Sequence, residues 1–570
     1  MSDTVSPRRS RRFAGLVAIC VIAHTLLLAD CARRWATTHD EYWHLPIGVA
    51  LWRTGAWDAD PINPPLPRLW AALPLVMAGA PSGDLSQADD AIDYGDAFWQ
   101  ANPETAPRWY FLGRLMAAAW SIATALLLTA LVRRVLGDGP ALAACAMWCF
   151  NPLVLGHAAL VSHDIPVTCG FVATAVAALR FLDRPGAVRA LLLGAVLGLA
   201  QLTKYTALLL GPLVLALWLL HPAVRLWGVS RGDLIRRAGW LGLVLAAAWG
   251  MIATGYGFQG LGQSLVHLSL VSTPGVWIGR HVGVLPSPLP AAYVQGLDTL
   301  LKFMDQPQPV YLLGQWSLDG FRSYYLLGLL VKLPLGLWGL LLLGLLTLRR
   351  HRPFPRAVWF LGVVPVVLIV GLASLSRNQL GVRYVLPAIP SLFLLAAAAF
   401  SDWKSVKPWR QRLAVVCLVW ALASLRDHPH ELASFNELAG GTTGGRWWLI
   451  DSNLDWGQDL FAVRDEVRRR GWKDVRVAYF GALPPAWAGL PGGPPPGRTP
   501  EPGYYAVSVN YVMGRPHVLR DAEGKFRPTG IEEFGYFRFF EPVTTIGGSI
   551  DLYVLTPEDI GRYYRALREL

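Results

Sequence analysis

Residues 39–44, His-Asp-Glu-Tyr-Trp-His, follow directly on a long apolar run and set two adjacent carboxylates, Asp40 and Glu41, among imidazoles and aromatic rings. A carboxylate placed this way can take the proton of an attacking hydroxyl, provided the two are in contact. The motif is not a zinc-protease signature, which needs Glu directly after the first His. A second group, Ser162-His163-Asp164, occupies a very short link between two apolar runs, with Asp164 ahead of Ile165-Pro166 also reading as a helix start. A third group is cationic: Arg114, Lys204 and Arg383-Tyr384 each sit at or just inside the end of an apolar run. Cations at membrane depth are functional by default, and an arginine forks onto phosphate oxygens. Two plainer readings stand beside these, a solvated acidic turn at 40–41 and snorkelling cations at helix ends. His/Asp/Glu ligand types also suit several divalent metals, so a metal on Asp40, Glu41 and Asp164 is an alternative use of the same residues.

Other signals are weaker. Gly440–Gly445, GGTTGG, lacks the Lys-Ser/Thr of a phosphate-binding loop. The stretch DSNLD at 451–455 opens like a calcium loop but has Trp456 and Ala462 where Gly and Glu are required. The six cysteines, Cys20, Cys31, Cys145, Cys149, Cys169 and Cys417, all lie in or beside apolar runs, so no disulfide framework is expected in the C-terminal region, and no zinc spacing appears.

The elements that must position these groups are apolar. The 570-residue chain is 53% hydrophobic and only 16% charged, against about 25% charged in soluble domains. Its 25 Trp also favour membrane interfaces. The net charge of +12 does not mark a nucleic-acid partner, because the cations fall in short loops between apolar runs, the pattern that orients a membrane protein. Candidate spans are 12–30, 109–132, 139–158, 165–182, 190–203, 205–220, 239–255, 323–348, 357–375, 383–400 and 413–425. The basic loops 1–12, 133–138, 183–189, 221–237, 349–356 and 401–412 all fit the cytoplasm, giving about eleven spans, an N-terminus inside and a C-terminus outside. The first run is long enough to remain as an anchor rather than be cleaved as a signal. The halves of 186–220 are each short of the hydrocarbon thickness, so the turn Thr203–Thr206 is expected below the outer surface, where Lys204 needs a partner.

Three segments are expected outside: 30–108, 255–322 and the tail 426–570. In the first, Leu66, Leu69, Trp70 and Leu73 share one helical face too short to span, as an interfacial helix would. In the tail, 475–481, 503–509 and 549–555 read as strands and 456–470 as a helix capped by Asp455, with a Gly/Pro loop at 490–503. The expected domains are thus a transmembrane unit, 1–425, and an extracytoplasmic α/β unit, 426–570. No internal repeat of a transporter kind is visible.

Outer carboxylates near cations at membrane depth imply a substrate half in lipid and half in water, as a lipid-phosphate sugar is. Its phosphate leaving group needs electrostatic stabilisation rather than a general acid. The ordered segments HDEYWH, NPPLPRLWAALPL (63–75), GRLMAA (113–118), LVSHDIPVT (160–168), GLAQLTKYTALLL (198–210), GVRYVLPAIPSLFLLAA (381–397) and the tail stretch His428–Leu460 together resemble the C-type membrane glycosyltransferases. Within these the likeness is to the bacterial branch of protein O-mannosyltransferases and the lipid A aminoarabinose transferase. The resemblance implies Asp40 as catalytic base with Glu41 beside it, Asp164 as the acid of the second outer loop, and Lys204, Arg383 and Arg114 near the donor phosphate. His44, Asn63, His163, Tyr205 and Tyr384 are expected to touch substrate. Asn63-Pro64-Pro65 departs from the His-Pro-Pro frequent in the family. The implied reaction is inverting transfer from a polyprenyl-phosphate sugar to a lipid, glycan or protein acceptor at the outer face of a bacterial inner membrane, with membrane lipids around it and no nucleic acid involved; no cofactor is assigned, and a divalent metal stays the alternative use of the carboxylates. Alternatives are a lipid-linked sugar flippase and a non-catalytic envelope assembly protein.

Overall fold

The computed structural model describes residues 7–220, 231–349, 358–491, 493–520 and 525–569. The first six residues and the basic stretches 221–230 and 350–356 therefore lie outside the described residues. The chain is a multi-pass helical membrane protein with a strand-containing C-terminal region. By length and hydropathy five described helices are able to cross a membrane, or seven if two bent pairs each count as one.

The helices used below run in chain order: α1 Pro7–Arg34, α2 Glu41–Thr54, α3 Leu66–Met77, α4 Ala91–Ala101, α5 Ala106–Leu136, α6 Asp138–Cys149, α7 Pro152–Ala158, α8 Asp164–Asp183, α9 Ala187–Gln201, α10 Leu210–Leu220, α11 Arg231–Gly255, α12 Thr273–Val282, α13 Ala291–Asp305, α14 Tyr324–Lys332 and α15 Leu335–Leu348. Beyond them come α16 Val364–Leu375, a 3-10 segment Val382–Ala388 leading into α17 Ile389–Ala397, and α18 Pro408–Ala423.

Helix occupies every expected span, but not every span is one full-length rod. The expected span 139–158 is two helices meeting at 57°. Pro152 restarts the chain as α7, with the Asn151 side chain accepting from Leu153 N at 3.0 Å. The expected span 323–348 is two helices at 107°, because Leu333, extended ahead of Pro334, cannot continue α14. The stretch 186–220 is two helices rather than one: α9 stops at Gln201, and a 3-10 turn Tyr205–Leu209 leads into α10. On α3, the expected face divides: Trp70 is exposed and Leu66, Leu69 and Leu73 are half-buried, while Ala71, Ala72 and Leu75 are buried.

The tail contains a sheet of β3 Val475–Ala478, β4 Gly503–Ser508, β7 Thr544–Ile546 and β8 Ile550–Leu555, in the order β3-β4-β8-β7. Only β3 and β4 are parallel. Hairpins β1/β2 (Val310–Leu312, Gln315–Ser317) and β5/β6 (Val518–Arg520, Phe526–Pro528) stand apart from it. The three predicted strands are present. The predicted tail helix is shorter, Leu460–Arg470 (α19), and Asp459 rather than Asp455 precedes it. The reason is that 456–459 is a buried turn: the Asp455 carboxylate accepts from Gly457 N at 2.8 Å and from the Ser508 hydroxyl instead of capping a helix.

This tail seats on the end of the helical bundle that bears the segment 30–108. Ala36 N donates to Gln458 O and His39 N to Trp456 O, both at 2.8 Å. The buried Lys332 ammonium, at the end of α14, donates to Leu432 O at 2.8 Å and Asn453 O at 2.7 Å. Buried backbone carbonyls need such donors, so one lysine ties the tail's two inner turns to the bundle.

Candidate active site

The turn between α1 and α2 is held by a buried clamp. Arg114, from α5, donates to both oxygens of Glu41 (Nε–Oε1 2.9 Å, Nη2–Oε2 2.7 Å) and to the carbonyls of Ala32, Trp35 and Ala36. Glu41 also accepts from Val161 N at 2.8 Å and from the Thr38 hydroxyl at 2.8 Å. Burial works against ionising Glu41, yet the guanidinium and these donors hold its carboxyl below the usual range. The sequence places Arg114 at a donor phosphate and Glu41 at the chemistry or on a metal. In the structure their hydrogen-bonding groups are engaged with each other, with backbone and with the Thr38 hydroxyl, in the turn that carries the neighbouring residue, Asp40.

Asp40 points away from that clamp. Its Oδ2 accepts from Arg383 Nη1 at 2.8 Å. Burial raises its pKa, but Arg383, then His44 and His39, outweigh it and hold the carboxyl at about 2. Arg383 is placed by a backbone device. Gly381 has φ +125°, a region few side chains tolerate, and a Cβ there would run into Ser452 Oγ. Val382 N donates to Asn453 Oδ1 at 2.9 Å in the same turn. Across from this pair, Lys204 Nζ meets Asp164 Oδ1 at 2.6 Å, the partner that a submerged lysine demands. Asp164 is the first residue of α8 and His163 precedes it, so no side-chain cap forms there.

One ring joins the two ion pairs. Lys204 lies 4.6 Å and Arg383 5.4 Å from the centre of the Tyr384 ring, and Arg383 also lies 4.3 Å over Trp456 of the tail. Asp40, Asp164, Lys204 and the adjacent Arg383 and Tyr384 thus converge, drawn from four separate places in the chain. Arg383 Nε and His157 Nδ1 are buried with no hydrogen-bond partner among the described residues, an arrangement that a bound polar ligand would relieve.

The other expected contacts divide. His44 lies near the carboxylate of Asp60, at 3.6 Å, and against His163, ring centres 4.7 Å apart. His163 Nε2–H donates to Pro64 O at 3.2 Å. Burial pushes the His44 imidazole below its usual range. Asn63 donates to Asp60 Oδ2 at 3.0 Å and receives Arg68 on its carbonyl, so it is tied into a buried Arg68–Asp60 pair. Tyr205 donates to Tyr293 O at 3.0 Å, inside a cluster with Tyr256 and Tyr293. Its hydroxyl is thus engaged with α13. Among the described residues, Asp40, Glu41 and Asp164 do not gather as a metal-binding group; Asp40 and Asp164 each face a cation instead.

Sequence reasoning missed His39, Phe480 and His517. The His517 ring lies 4.8 Å from His39 and 4.4 Å from Phe480. Burial first, and like charge second, push His517 well below the usual imidazole range. His39 Nδ1 and His517 Nε2 are buried without partners among the described residues. His39 stood inside the motif, but nothing local marks Phe480 or His517. An apolar groove lined by Phe171, Val172, Leu210, Val214, Pro387 and Leu394 runs along the helices that carry Asp164, Lys204 and Arg383.

Residues 110–252 match the family model described as dolichyl-phosphate-mannose-protein mannosyltransferase, which bears out, over that stretch, the family resemblance read from the motifs. No curated protein matches the chain in sequence. The chain is similar to the ArnT structure from Cupriavidus metallidurans bound to undecaprenyl phosphate, at 16% identity over 80% of this chain and 72% of that one, TM-score 0.47. For the apo state of ArnT the figures are 16% identity, 71% and 62%, TM-score 0.45, so the chain spans less than two thirds of that protein's length. It is also similar to the archaeal oligosaccharyltransferase AglB from Archaeoglobus fulgidus in complex with an inhibitory peptide and a dolichol-phosphate, at 12% identity, 92% and 75%, TM-score 0.41.

Proposed function

We propose that this protein is a C-type glycosyltransferase that moves a sugar from a polyprenyl-phosphate donor to an acceptor hydroxyl, with Asp40 as general base. The observation that carries the reading is the pair of carboxylate–cation contacts, Asp40–Arg383 and Asp164–Lys204, meeting at Tyr384. The family match over 110–252 supports it. The apolar groove beside these residues suits a prenyl chain.

The acceptor oxygen attacks the sugar C1 as the C1–O bond to phosphate breaks. The bonding pair leaves with the phosphate, and the acceptor proton passes to Asp40. Attack opposite the leaving group inverts the anomeric centre. Arg383 and Lys204 neutralise charge developing on the phosphate, a stabilisation worth most where water is excluded. In the resting site Arg383 holds Asp40, and a carboxylate at about 2 is a poor base. An incoming phosphate competes for Arg383, and its departure from Asp40 raises that carboxylate's basicity. Donor binding therefore switches on the base. The membrane is taken as the bacterial inner membrane, with the site and the tail, 426–570, on its outer side.

The test is transfer of label from a panel of radiolabelled polyprenyl-phosphate sugars by the purified full-length protein in liposomes, wild type beside Asp40→Asn, with and without EDTA. Label moving to an acceptor or to water in the wild type, reduced about 100-fold or more in Asp40→Asn, supports the reading. Loss with EDTA would add a metal to it. Lipid crossing the bilayer equally with both proteins, without transfer, would replace it with a flippase.

A further inference from the structure

A second cluster of chemistry-bearing side chains lies where the end of α1 meets the start of the tail. Cys31 Sγ is 3.3 Å from Glu431 Oε2 and 3.8 Å from His428 Nδ1, and His428 Nδ1 touches the other oxygen of Glu431. One ligand atom from each of the three lies within 4.8 Å of the others, and this is the one such group among the described residues. The far nitrogen, His428 Nε2, donates to Asp30 Oδ2 at 3.0 Å.

We propose that Cys31, His428 and Glu431 form a zinc site that bolts the first helix to the C-terminal region. Zinc–sulfur and zinc–nitrogen bonds of about 2.3 and about 2.0 Å at a tetrahedral angle put sulfur and nitrogen roughly 3.5 Å apart. The two sulfur distances bracket that value. Thiolate with imidazole selects zinc over magnesium, calcium or manganese, which prefer oxygen. With zinc bound in place of the Nδ1 proton now shared with Glu431, the Asp30 carboxylate accepting from Nε2–H would hold the tautomer whose Nδ1 lone pair ligates the ion. That carboxylate–histidine arrangement is the usual outer support of a zinc histidine. Zinc displaces the Cys31 thiol proton, and thiolate plus carboxylate then cancel its charge, which suits a nearly closed site. Asp30 is balanced separately by Arg34, at 2.7 Å. Cys31 and Glu431 are buried, while the His428 side chain keeps 22% exposure, an entry for the ion and room for a water as fourth ligand. Trp35 Nε1 donates to Pro429 O at 2.7 Å and holds the same junction together. The site is independent of the transfer reaction.

The experiment is metal analysis of the purified full-length protein in detergent, loaded with zinc and then desalted, followed by cobalt substitution. About one zinc per chain is expected, falling to background in Cys31→Ser and His428→Ala, and cobalt should give a thiolate charge-transfer band that Cys31→Ser abolishes. Asp30→Asn should retain the site with affinity lowered about 10–100-fold. Zinc undiminished in Cys31→Ser would overturn the proposal. If the variants do not fold, a cobalt titration of the wild type decides alone: no thiolate band overturns it.

Discussion

In the proposed reaction Arg383 does two jobs, holding Asp40 at rest and the donor phosphate when it binds, and its removal separates them. In Arg383→Gln the donor phosphate loses a ligand, so KM for donor should rise. Asp40 also loses the charge that opposes burial, so the acid limb of kcat/KM against pH should move upward by about 1–3 units. A profile that keeps its limb would place the Asp40–Arg383 contact outside the reaction. Arg114 predicts the opposite pattern. Arg114→Met leaves Glu41 charged and buried, which should cost about 3–5 kcal/mol, read as a fall in thermal midpoint, and Arg114→Met/Glu41→Leu should recover much of it. A folded, normally stable Arg114→Met with a raised donor KM would return Arg114 to the phosphate. At this scale Asp40, Asp164, Lys204, Arg383 and Tyr384 were legible in the sequence, because each is a charge or its neighbour where apolar runs end. The pairing of Arg114 with Glu41 was not legible there, because a buried structural cation and a ligand-binding cation leave one trace in hydropathy.

The elements that aim these side chains depend on a few backbone devices. Gly381→Ala should strain the turn before Arg383 by about 1–3 kcal/mol and lower kcat more than Lys204-side changes of similar stability; unchanged kinetics would show that the turn adapts. Helix positions could be read from apolar runs, whereas their breaks had to be read from proline. Pro152 and Pro334 each end a rod where the hydropathy runs on, so counting apolar residues alone joins what the chain divides. The break after the half-length α9 could be inferred, because basic flanks on both sides call for two short helices rather than one long one. What no run shows is the approach of His517, just ahead of β5, to His39.

Over the whole molecule the tail is part of the site, since Trp456 lies over Arg383 and Phe480 and His517 flank His39. Its own stability carries a pH signature. Burial first, with Asp451 and Asp459 adding to it against the Ser508 and Gly457 hydrogen bonds, raises Asp455 to about 7. In the unfolded chain it ionises near about 4. Between those values the folded state binds the extra proton, so stability falls as pH rises through that window and is level above it. Asp455→Asn should flatten the slope of thermal midpoint between pH 5 and 7 in the full-length protein; an unchanged slope would assign it to other groups. Strand and loop positions in the tail were legible from alternation and glycine–proline content. Its docking was not, because contacts between distant segments leave no period in a sequence. The amides of Ala36 and His39, on the near side of Asp40, are closed by carbonyls of Gln458 and Trp456, at the other end of the chain. A ribosome makes the first pair early and the second only after the last membrane helix has emerged. The nascent chain therefore carries its acid unframed through nearly all of synthesis. A product stopped after residue 425 should insert in the membrane and transfer nothing, so that only finished molecules spend donor lipid.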